Sequence, residues 1–258
     1  MTEPHRSLWT WCKQRPKIWA SHITMFLVSL LTIFFFEVCN RMRVIGRENI
    51  PLLGCGILIL PIHITMWDSF AIVVAWLKFS ILTRPSRPPL HFADEKNYFT
   101  WYSRWLMKLL RAVPVRSRNS IELIGKYEEY QKIRNLMVFP QGTRSYDETR
   151  VKRGVALFIC TSKTQPIVIP AYHEGMDNIF THGGPGTKNF LRWIPMRIGQ
   201  EITVIFGQPI NFSDLRSAYP DANAEQRGVI LEEACRRISE GIKQLKVLLH
   251  NSNAPVQP

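Results

Sequence analysis

Short β-forming runs alternate with helix-like patterns through most of this chain, and that alternation limits the possible folds more than any other feature. Strands are predicted at 56–62, 89–94, 112–115, 135–140, 165–170 and 201–207. Helical spacing of apolar residues falls between them, at 67–79, 98–111, 120–133 and 151–163. Strands that alternate with helices form a sheet covered by helices. The sequence therefore predicts an α/β domain.

A long helix is predicted near the end of the chain, from about Asn223 to His250, because apolar residues recur there at helical spacing. The expected apolar stripe consists of Val229, Ile230, Ala234, Ile238, Ile242 and Leu245. We expect this helix to pack on the domain rather than to carry a site. Residues 251–258 are predicted to form a disordered tail.

Residues 19–36 form an apolar stretch of 18 residues in which His22 is the only strongly polar member. A helix that crosses a bilayer needs about 20 apolar residues, so the stretch is borderline for a span. Basic residues flank it on both sides, which favours a segment that dips into one leaflet. A buried core helix is the alternative. Residues 1–41 are therefore predicted to be a membrane-associated helical anchor, and residues 42–250 the α/β domain.

The chain is strongly basic, because 33 Lys and Arg residues oppose 20 Asp and Glu residues and give a net charge of +13. Such a charge attracts membranes, phospholipids, nucleotides and acidic carrier proteins. We expect no nucleic-acid partner, because zinc-finger spacing, an RNP-like signature and runs of consecutive basic residues are missing. The five scattered cysteines lack a CxxC spacing, which argues against a disulfide framework and fits a reducing, cytoplasmic setting.

His63 and Asp68 follow the predicted strand 56–62 at an HxxxxD spacing, so that the histidine leaves the strand and the aspartate opens the next helix. A turn that brings the Asp68 carboxylate onto one imidazole nitrogen would fix the tautomer of His63. The other nitrogen would then accept a proton from a substrate hydroxyl, and no enzyme serine is required. Chance alone produces this spacing in about one such chain in six, so the assignment depends on further motifs.

A second motif, FPQGTRS at 139–145, follows the predicted strand 135–140, where a parallel sheet presents its carboxyl ends. Gly142 lets backbone amides approach a ligand closely, and Arg144 can hold a phosphate by two parallel hydrogen bonds. The motif predicts a phosphate site. For GTR alone, the alternative is an ordinary strand exit whose arginine pairs with a nearby carboxylate.

Together these residues resemble the glycerolipid acyltransferase family. HITMWD at 63–68 matches the HxxxxD motif of the family, and FPQGTRS matches its FPEGTRS motif except at Gln141. AVPVRSRN at 112–119 resembles the second block of the family, an apolar strand that runs into an arginine. QPIVIPAYHEG at 165–175 resembles the fourth block, which is centred on Pro170.

FGQPI at 206–210 resembles the segment that closes the family domain. The likeness extends from Arg43 to about Phe212 in the order of the family. The combination of these motifs is far more specific than any one of them.

The resemblance implies an O-acyltransferase that moves a fatty acyl group from acyl-CoA or acyl carrier protein to the free hydroxyl of 1-acylglycerol-3-phosphate (lysophosphatidic acid), forming phosphatidic acid. It implies a mixed sheet flanked by helices, and neither a metal nor another cofactor. It also implies attachment to membrane phospholipid at the cytoplasmic face of a bacterial inner membrane.

The same resemblance assigns roles to single residues. His63 is expected to be the general base and Asp68 its partner. An arginine of the second block is expected to hold the acceptor phosphate, and Arg116 and Arg118 both fit because the register there is ambiguous. The other residues expected to bind substrate are Gln141, Gly142, Thr143, Arg144 and Pro170.

Two departures from the family pattern leave alternatives open. Gln141 replaces a Glu, which keeps a hydrogen-bond acceptor but removes the charge. Ile62 stands where a polar residue commonly precedes the histidine. Acyl transfer to another lyso-lipid acceptor and a catalytically silent membrane lipid-binding module are therefore alternatives, and the retention of His63 and Asp68 favours an enzyme.

Two further histidines, His173 and His182, lie in the loop-rich region 171–199. Neither has Cys, Asp or His at metal-ligand spacing. Both are predicted to be surface residues rather than metal ligands.

Overall fold

The computed structural model describes residues 23–24, 26–51, 56–78, 89–94, 104, 113–115, 125, 127–129, 131, 135–186 and 190–252. The strands within these residues are β1 (Arg41–Ile45), β2 (Ile57–Pro61), β3 (Leu90–Asp94), β4 (Val113–Val115), β5 (Leu136–Met137), β6 (Ile167–Glu174) and β7 (Glu201–Phe206). Five α-helices lie wholly within these residues: α1 (Asp68–Leu77), α2 (Arg153–Thr161), α3 (Met176–Ile179), α4 (Ser213–Ala218) and α5 (Ala224–Ser252). Short 3₁₀ turns occupy Arg47–Asn49 and Phe190–Trp193.

The strands form one mixed sheet in the order β1-β7-β6-β2-β5-β3-β4. Parallel pairing joins the five adjacent strands β6, β2, β5, β3 and β4. Strand β7 runs antiparallel to β6 and pairs in parallel with β1 at the edge. The mixed α/β sheet flanked by helices, which the resemblance implied, is confirmed.

Apolar side chains pack on both faces of the sheet. Leu58 and Leu60 of β2 face a core that also contains buried residues of α2, α4 and α5. Ile57 and Ile59 alternate to the other face, where α1, α3 and the N-terminal helical residues cover them. Because helices cover both faces, β2 is buried along its whole length and reads as the unbroken apolar run ILILP.

Helical residues precede β1. Residues 26–33 are α-helical and continue into a π-helical turn, Phe34–Val38. Ile33 and Phe36 of this N-terminal helix pack into the core. Seven apolar side chains of this segment are exposed: Ile23, Phe26, Leu27, Leu30, Leu31, Phe34 and Val38. No helix among the described residues has the length and apolarity needed to cross a membrane.

The structure corrects the sequence-based expectations at two positions. Strand β6 continues beyond Pro170 to Glu174, so His173 belongs to a strand and not to a loop. Val229 lies outside the buried stripe of α5, because its side chain is 63% exposed. At the end of that helix Leu249 is buried instead.

The structure tests the predictions for two helices and for the C-terminal tail only in part. The predicted helices 98–111 and 120–133 lie mostly outside the described residues. Residues 251–252 extend α5 instead of opening the predicted tail, and the rest of the tail also lies outside the described residues.

Candidate active site

His63 and Asp68 are in contact at the carboxyl end of β2. The imidazole Nδ1 of His63 lies 3.0 Å from Oδ2 of Asp68, so the contact predicted from the HxxxxD spacing is present. Asp68 opens helix α1 and is fully buried, whereas the side chain of His63 is 20% exposed. A histidine that a buried carboxylate orients and that solvent still reaches can take a proton from a bound molecule.

The residues between this pair surround the carboxylate with hydrogen bonds. The backbone N–H groups of Ile64 and Thr65 donate to Oδ2 of Asp68 at 2.5 and 2.8 Å. The Thr65 hydroxyl donates to Oδ1 at 2.5 Å. Donors of this kind favour the ionised form of a carboxyl group. The HITMWD turn therefore holds Asp68 in place without help from a substrate.

The surroundings of Asp68 also set its ionisation. Burial acts to raise the pKa of the Asp68 carboxyl, but the imidazoles of His173 and His63 lower it by more, and the net pKa lies well below its ordinary value. Asp68 is therefore a carboxylate at neutral pH. A carboxylate at Nδ1 keeps the proton of His63 on that nitrogen and leaves Nε2 as the acceptor.

The FPQGTRS motif lies beside the His63 turn because β5 is the parallel neighbour of β2. The two strands pair through Ile59 and Met137. His63 and Gln141 each stand four residues further on, so they leave the sheet side by side. The backbone N–H of His63 donates to Oε1 of Gln141 at 2.6 Å, and the His63 carbonyl accepts from Ser145 N–H at 2.7 Å. The two motifs thus form one structural unit.

Phe139 fixes the plane of the His63 ring. Its own ring stacks on the imidazole, with centroids 4.0 Å apart and planes inclined by 21°. Together with the Asp68 contact, this stacking limits the rotation of the imidazole. His63 is therefore positioned by its backbone, by its ring face and by Nδ1.

Gln141 is a buried amide that joins backbone groups. Its side-chain Nε2 donates to the carbonyls of Ser145 and Asp147, each at 3.0 Å. Its Oε1 already accepts from the N–H of His63, so the reversed amide would set donor against donor and acceptor against acceptor. The contacts of Gln141 are thus structural, and the substrate contact expected from the resemblance stays a prediction.

Gly142 and Thr143 lie on the exposed side of the motif. The φ of Gly142 is +71°, a left-handed value that favours glycine, and a Cβ there would lie 3.1 Å from the side chain of Lys152. Glycine is therefore required for this turn. Substrate binding by Gly142 and Thr143 stays a prediction.

Arg144 connects the motif to the loop after α3. Its Nη1 donates to the backbone carbonyls of Gly183 and, at 2.8 Å, Gly184. Burial lowers the pKa of Arg144, the positive charge of Arg192 lowers it further, and Asp68 raises it. The guanidinium groups of Arg144 and Arg192 thus lie close enough to repel one another. Positive charge is concentrated beside the His63–Asp68 pair.

Arg192 was not expected from the sequence. It belongs to the 3₁₀ turn Phe190–Trp193, which carries no strand or helix signal. The Trp67 indole N–H donates to the carbonyl of Trp193 at 3.0 Å, which ties this turn to the start of α1. The Nε of Arg192 is buried, and within the described part of the chain it has no hydrogen-bond partner.

His173 lies beneath the pair and is fully buried. Its Nε2 is 3.2 Å from the carbonyl oxygen of Ile62 and 3.5 Å from Oδ2 of Asp68. The prediction of a surface position is wrong, because Pro170 lies within the strand and does not end it. Following the continuous apolar run through the proline, IVIPAY, would have extended the strand to His173. The exposed position predicted for His182 is confirmed.

Three predicted site residues remain, namely Pro170, Arg116 and Arg118. Pro170 is buried inside β6, and its ring lies against Gly241 of α5, on the side of the sheet away from α1. Arg116 and Arg118 lie outside the described residues. Substrate binding by these residues stays a prediction.

Comparison with known proteins identifies similar sequences and folds. A model of the acyltransferase family matches residues 41–174, which include both motifs. The fold is similar to that of the 1-acyl-sn-glycerophosphate (LPA) acyltransferase PlsC from Thermotoga maritima, with a TM-score of 0.52 and 20% identity over 85% of this chain and 80% of that chain. Tafazzin from Drosophila melanogaster is 35% identical over 79 residues, which are 30% of this chain and 19% of Tafazzin. The chain thus spans about a fifth of this relative.

Proposed function

The chain belongs to the acyltransferase family, and on this premise we propose that it transfers a fatty acyl group from acyl-CoA or acyl carrier protein to the free hydroxyl of 1-acylglycerol-3-phosphate. The product is phosphatidic acid. The observation that carries the proposal is the 3.0 Å contact between His63 Nδ1 and the buried carboxylate of Asp68. That contact prepares a general base without an enzyme nucleophile.

In the proposed reaction, Nε2 of His63 takes the proton of the acceptor hydroxyl as the hydroxyl oxygen bonds to the thioester carbonyl carbon. The tetrahedral intermediate then breaks its C–S bond. The sulfur leaves with the proton that His63 had accepted, so a free thiol and a new ester result. Asp68 stabilises the imidazolium that forms between these steps. The scheme uses no metal or other cofactor.

An anionic acceptor fits the charge next to this base. Arg144 and Arg192 concentrate positive charge there, and the guanidinium of the partly buried Arg192 can donate hydrogen bonds to a phosphate. The net charge of +13 favours the approach of anionic lipid, CoA phosphates and an acidic carrier protein. We therefore favour lysophosphatidic acid over an uncharged acceptor.

Attachment to a membrane surface fits the exposed side of the N-terminal helix. Leu27, Leu31 and Val38 are each more than half exposed. The N–H of Gly199 donates to the carbonyl of Cys39 at 2.8 Å, which places the neighbouring Ile198 beside the end of this helix. The side chain of Ile198 is 68% exposed. Apolar side chains on a basic protein suit an anionic lipid surface. We propose the cytoplasmic face of a bacterial inner membrane.

Gln141 gives no support for a different acceptor, because its side chain contacts backbone groups of its own turn. A silent lipid-binding module is also less well supported. Such a module would have no need of a buried carboxylate aligned with a partly exposed histidine.

The test is release of free thiol from long-chain acyl-CoA and from acyl carrier protein in detergent, with lysophosphatidic acid as acceptor and mass spectrometry of the lipid product. We expect acceptor-dependent release that His63→Ala lowers by about 10²- to 10⁴-fold. His250→Ala is the matched control, because His250 is an exposed histidine at the end of α5. Thiol release that occurs with a lyso-aminolipid but not with lysophosphatidic acid would assign a different acceptor. If folded protein releases no thiol with any donor, the proposal that it is an enzyme is contradicted.

A further inference from the structure

Asp68 has two histidine neighbours, and the proposed reaction uses only one of them. His63 lies at 3.0 Å on the solvent side, and His173 lies at 3.5 Å within the core. Both His173 and Asp68 are completely buried. A buried imidazole beside a buried carboxylate, directly behind a general base, requires a physical explanation.

The contacts of His173 determine where its proton resides. Nε2 faces the Ile62 carbonyl at 3.2 Å and Oδ2 of Asp68 at 3.5 Å. Neither a carbonyl nor an ionised carboxylate can donate a hydrogen bond, so Nε2 of His173 carries the proton. The bond to Ile62 is the stronger one. The 3.5 Å between His173 Nε2 and Asp68 Oδ2 is long for a hydrogen bond. It is short for the electrostatic attraction between an N–H dipole or a cation and a buried charge.

These contacts link His173 to both ends of the His63 turn. Ile62 directly precedes His63, and Asp68 ends the HITMWD segment. His173 itself belongs to β6, which pairs with β2 along its length. The central sheet therefore determines where Asp68 stands relative to His63.

Electrostatics agree with this geometry. Burial acts to lower the pKa of His173, but Asp68 and the Ile62 carbonyl raise it by more, so that the net pKa is raised. The Nδ1 of His173 is buried and has no hydrogen-bond partner among the described residues. The contacts found for this side chain are thus those of Nε2 with Ile62 and Asp68.

We propose that His173 is a positioning residue for acyl transfer: its Nε2–H holds the Asp68 carboxylate in the orientation that fixes the tautomer and direction of the His63 imidazole. The inference rests on the proposed role of His63 as general base. It assigns no contact between His173 and a substrate. Replacing the N–H donor should disturb the base, while binding of the acceptor should change little.

The test compares two replacements of the same residue. His173→Leu removes the donor, and His173→Gln keeps an amide N–H near the place of Nε2. In His173→Leu we expect kcat to fall by about 100-fold, as for a misplaced catalytic group, with KM for lysophosphatidic acid changed by less than about twofold. His173→Gln should restore most of kcat. Ile238→Ala, in the buried face of α5, is the control for a loss of stability alone.

A second readout does not depend on activity. In protein labelled with ¹⁵N-histidine, the Nδ1–H tautomer of His63 should be visible by NMR and assigned by its disappearance in His63→Ala. His173→Leu should abolish the tautomer preference, whereas His173→Gln and Ile238→Ala should keep it. If His173→Leu is insoluble, His173→Phe provides an apolar ring of similar shape.

The outcomes separate the two proposals. An unchanged His63 tautomer and unchanged kcat in the apolar variants would overturn the role of His173. Equal losses in His173→Gln and His173→Leu would also overturn it, because the donor would then be irrelevant. A tautomer change in protein that transfers no acyl group would support the coupling and contradict the proposed function.

Discussion

The backbone N–H of His63 donates to the side-chain Oε1 of Gln141 across 2.6 Å, so the two motifs meet at one buried amide. The Gln141 side chain is 1% exposed, and its Nε2 donates to two carbonyls of the following turn, those of Ser145 and Asp147. One end of this amide must accept and the other must donate. A glutamine meets both requirements, whereas an ionised glutamate can only accept.

Gln141→Glu therefore should not improve this enzyme, although it restores the residue of the family motif. One carboxylate oxygen would still accept from His63, but the other would face two carbonyl oxygens that have lost their donor. We expect a loss of about 2 kcal/mol or more in the free energy of unfolding, measured with urea, and a lower kcat.

Gln244→Glu is the matched control, because Gln244 is exposed on α5. It should leave both stability and kcat nearly unchanged. A Gln141→Glu variant as stable as the parent and more active would contradict the structural role of the amide.

The sequence was sufficient for the strands that are buried on both faces, because their continuous apolar runs are distinctive. It did not reveal β1, RMRVI, since Arg41 and Arg43 interrupt the apolar residues. Among the described strands, β1 pairs with β7 alone at the edge of the sheet, so alternate side chains can remain polar. Edge strands of this kind carry a weak signal.

The candidate site was likewise predictable only in part. His63, Asp68 and the FPQGTRS turn lie within short segments, and the spacing within each segment limits their geometry. His173 and Arg192 come from distant parts of the chain and reach the site only through the pairing of β6 with β2 and the Trp67–Trp193 bond. Such contacts depend on tertiary structure, which local spacing does not encode.

Asp68→Asn should impair the base while keeping the size of the side chain. An amide at this position can present its N–H to Nδ1 of His63, which would favour the tautomer with Nε2 protonated and unable to accept. We expect kcat to fall by about 10²- to 10⁴-fold in the thiol-release assay. Asp221→Asn, on an exposed position, should retain full activity. Full activity in Asp68→Asn would show that the carboxylate does not orient the base.

Arg192→Met should weaken binding of a phosphorylated acceptor more than it slows the chemistry. A hydrogen bond between charged partners contributes about 1.5–3 kcal/mol, so KM for lysophosphatidic acid should rise about tenfold or more at similar kcat. Arg197→Met is the control, since Arg197 is an exposed arginine of the same segment. With monoacylglycerol, which has no phosphate, Arg192→Met should behave like the parent. Equal effects on both acceptors would argue against a phosphate contact.

Replacing Leu27 and Leu31 together by Glu should weaken attachment to lipid. Both side chains are exposed on the N-terminal helix, and burying each in a membrane would contribute about 1.5–3 kcal/mol. The measurement is co-sedimentation with vesicles of phosphatidylglycerol and phosphatidylethanolamine. We expect the double variant to bind these vesicles at least about tenfold more weakly than the parent. The double replacement of Val229 and Leu248 by Glu is the control, because these residues are equally exposed on α5. If both double variants lose binding equally, the N-terminal helix is not the specific attachment site.

The lowered pKa of Asp68 predicts how stability depends on pH. Because the folded-state pKa lies below the ordinary value of 3.8, the ionised carboxylate contributes stability that is fully present above that value. As pH falls below about 4, unfolding takes up one more proton at this residue, and the contribution is lost by up to about 1.4 kcal/mol per pH unit. Asp68→Asn lacks this proton uptake.

The measurement is urea unfolding of both proteins between pH 7 and pH 3. Asp68→Asn should be less stable at pH 7; the gap should widen as pH falls to about 5, because the raised pKa of His173 depends on Asp68, and it should narrow again below pH 4 as Asp68 takes up its proton. Other acidic residues with lowered pKa values, such as Asp214 and Glu233, are present in both proteins, so their contributions cancel in the difference. Asp68 is a main cause of the raised pKa of His173, so the parent gains stability as this histidine takes up a proton between pH 7 and about 5, and Asp68→Asn lacks that gain. A gap that stays the same from pH 7 to pH 3 would mean that folding leaves the ionisation of Asp68 unaltered.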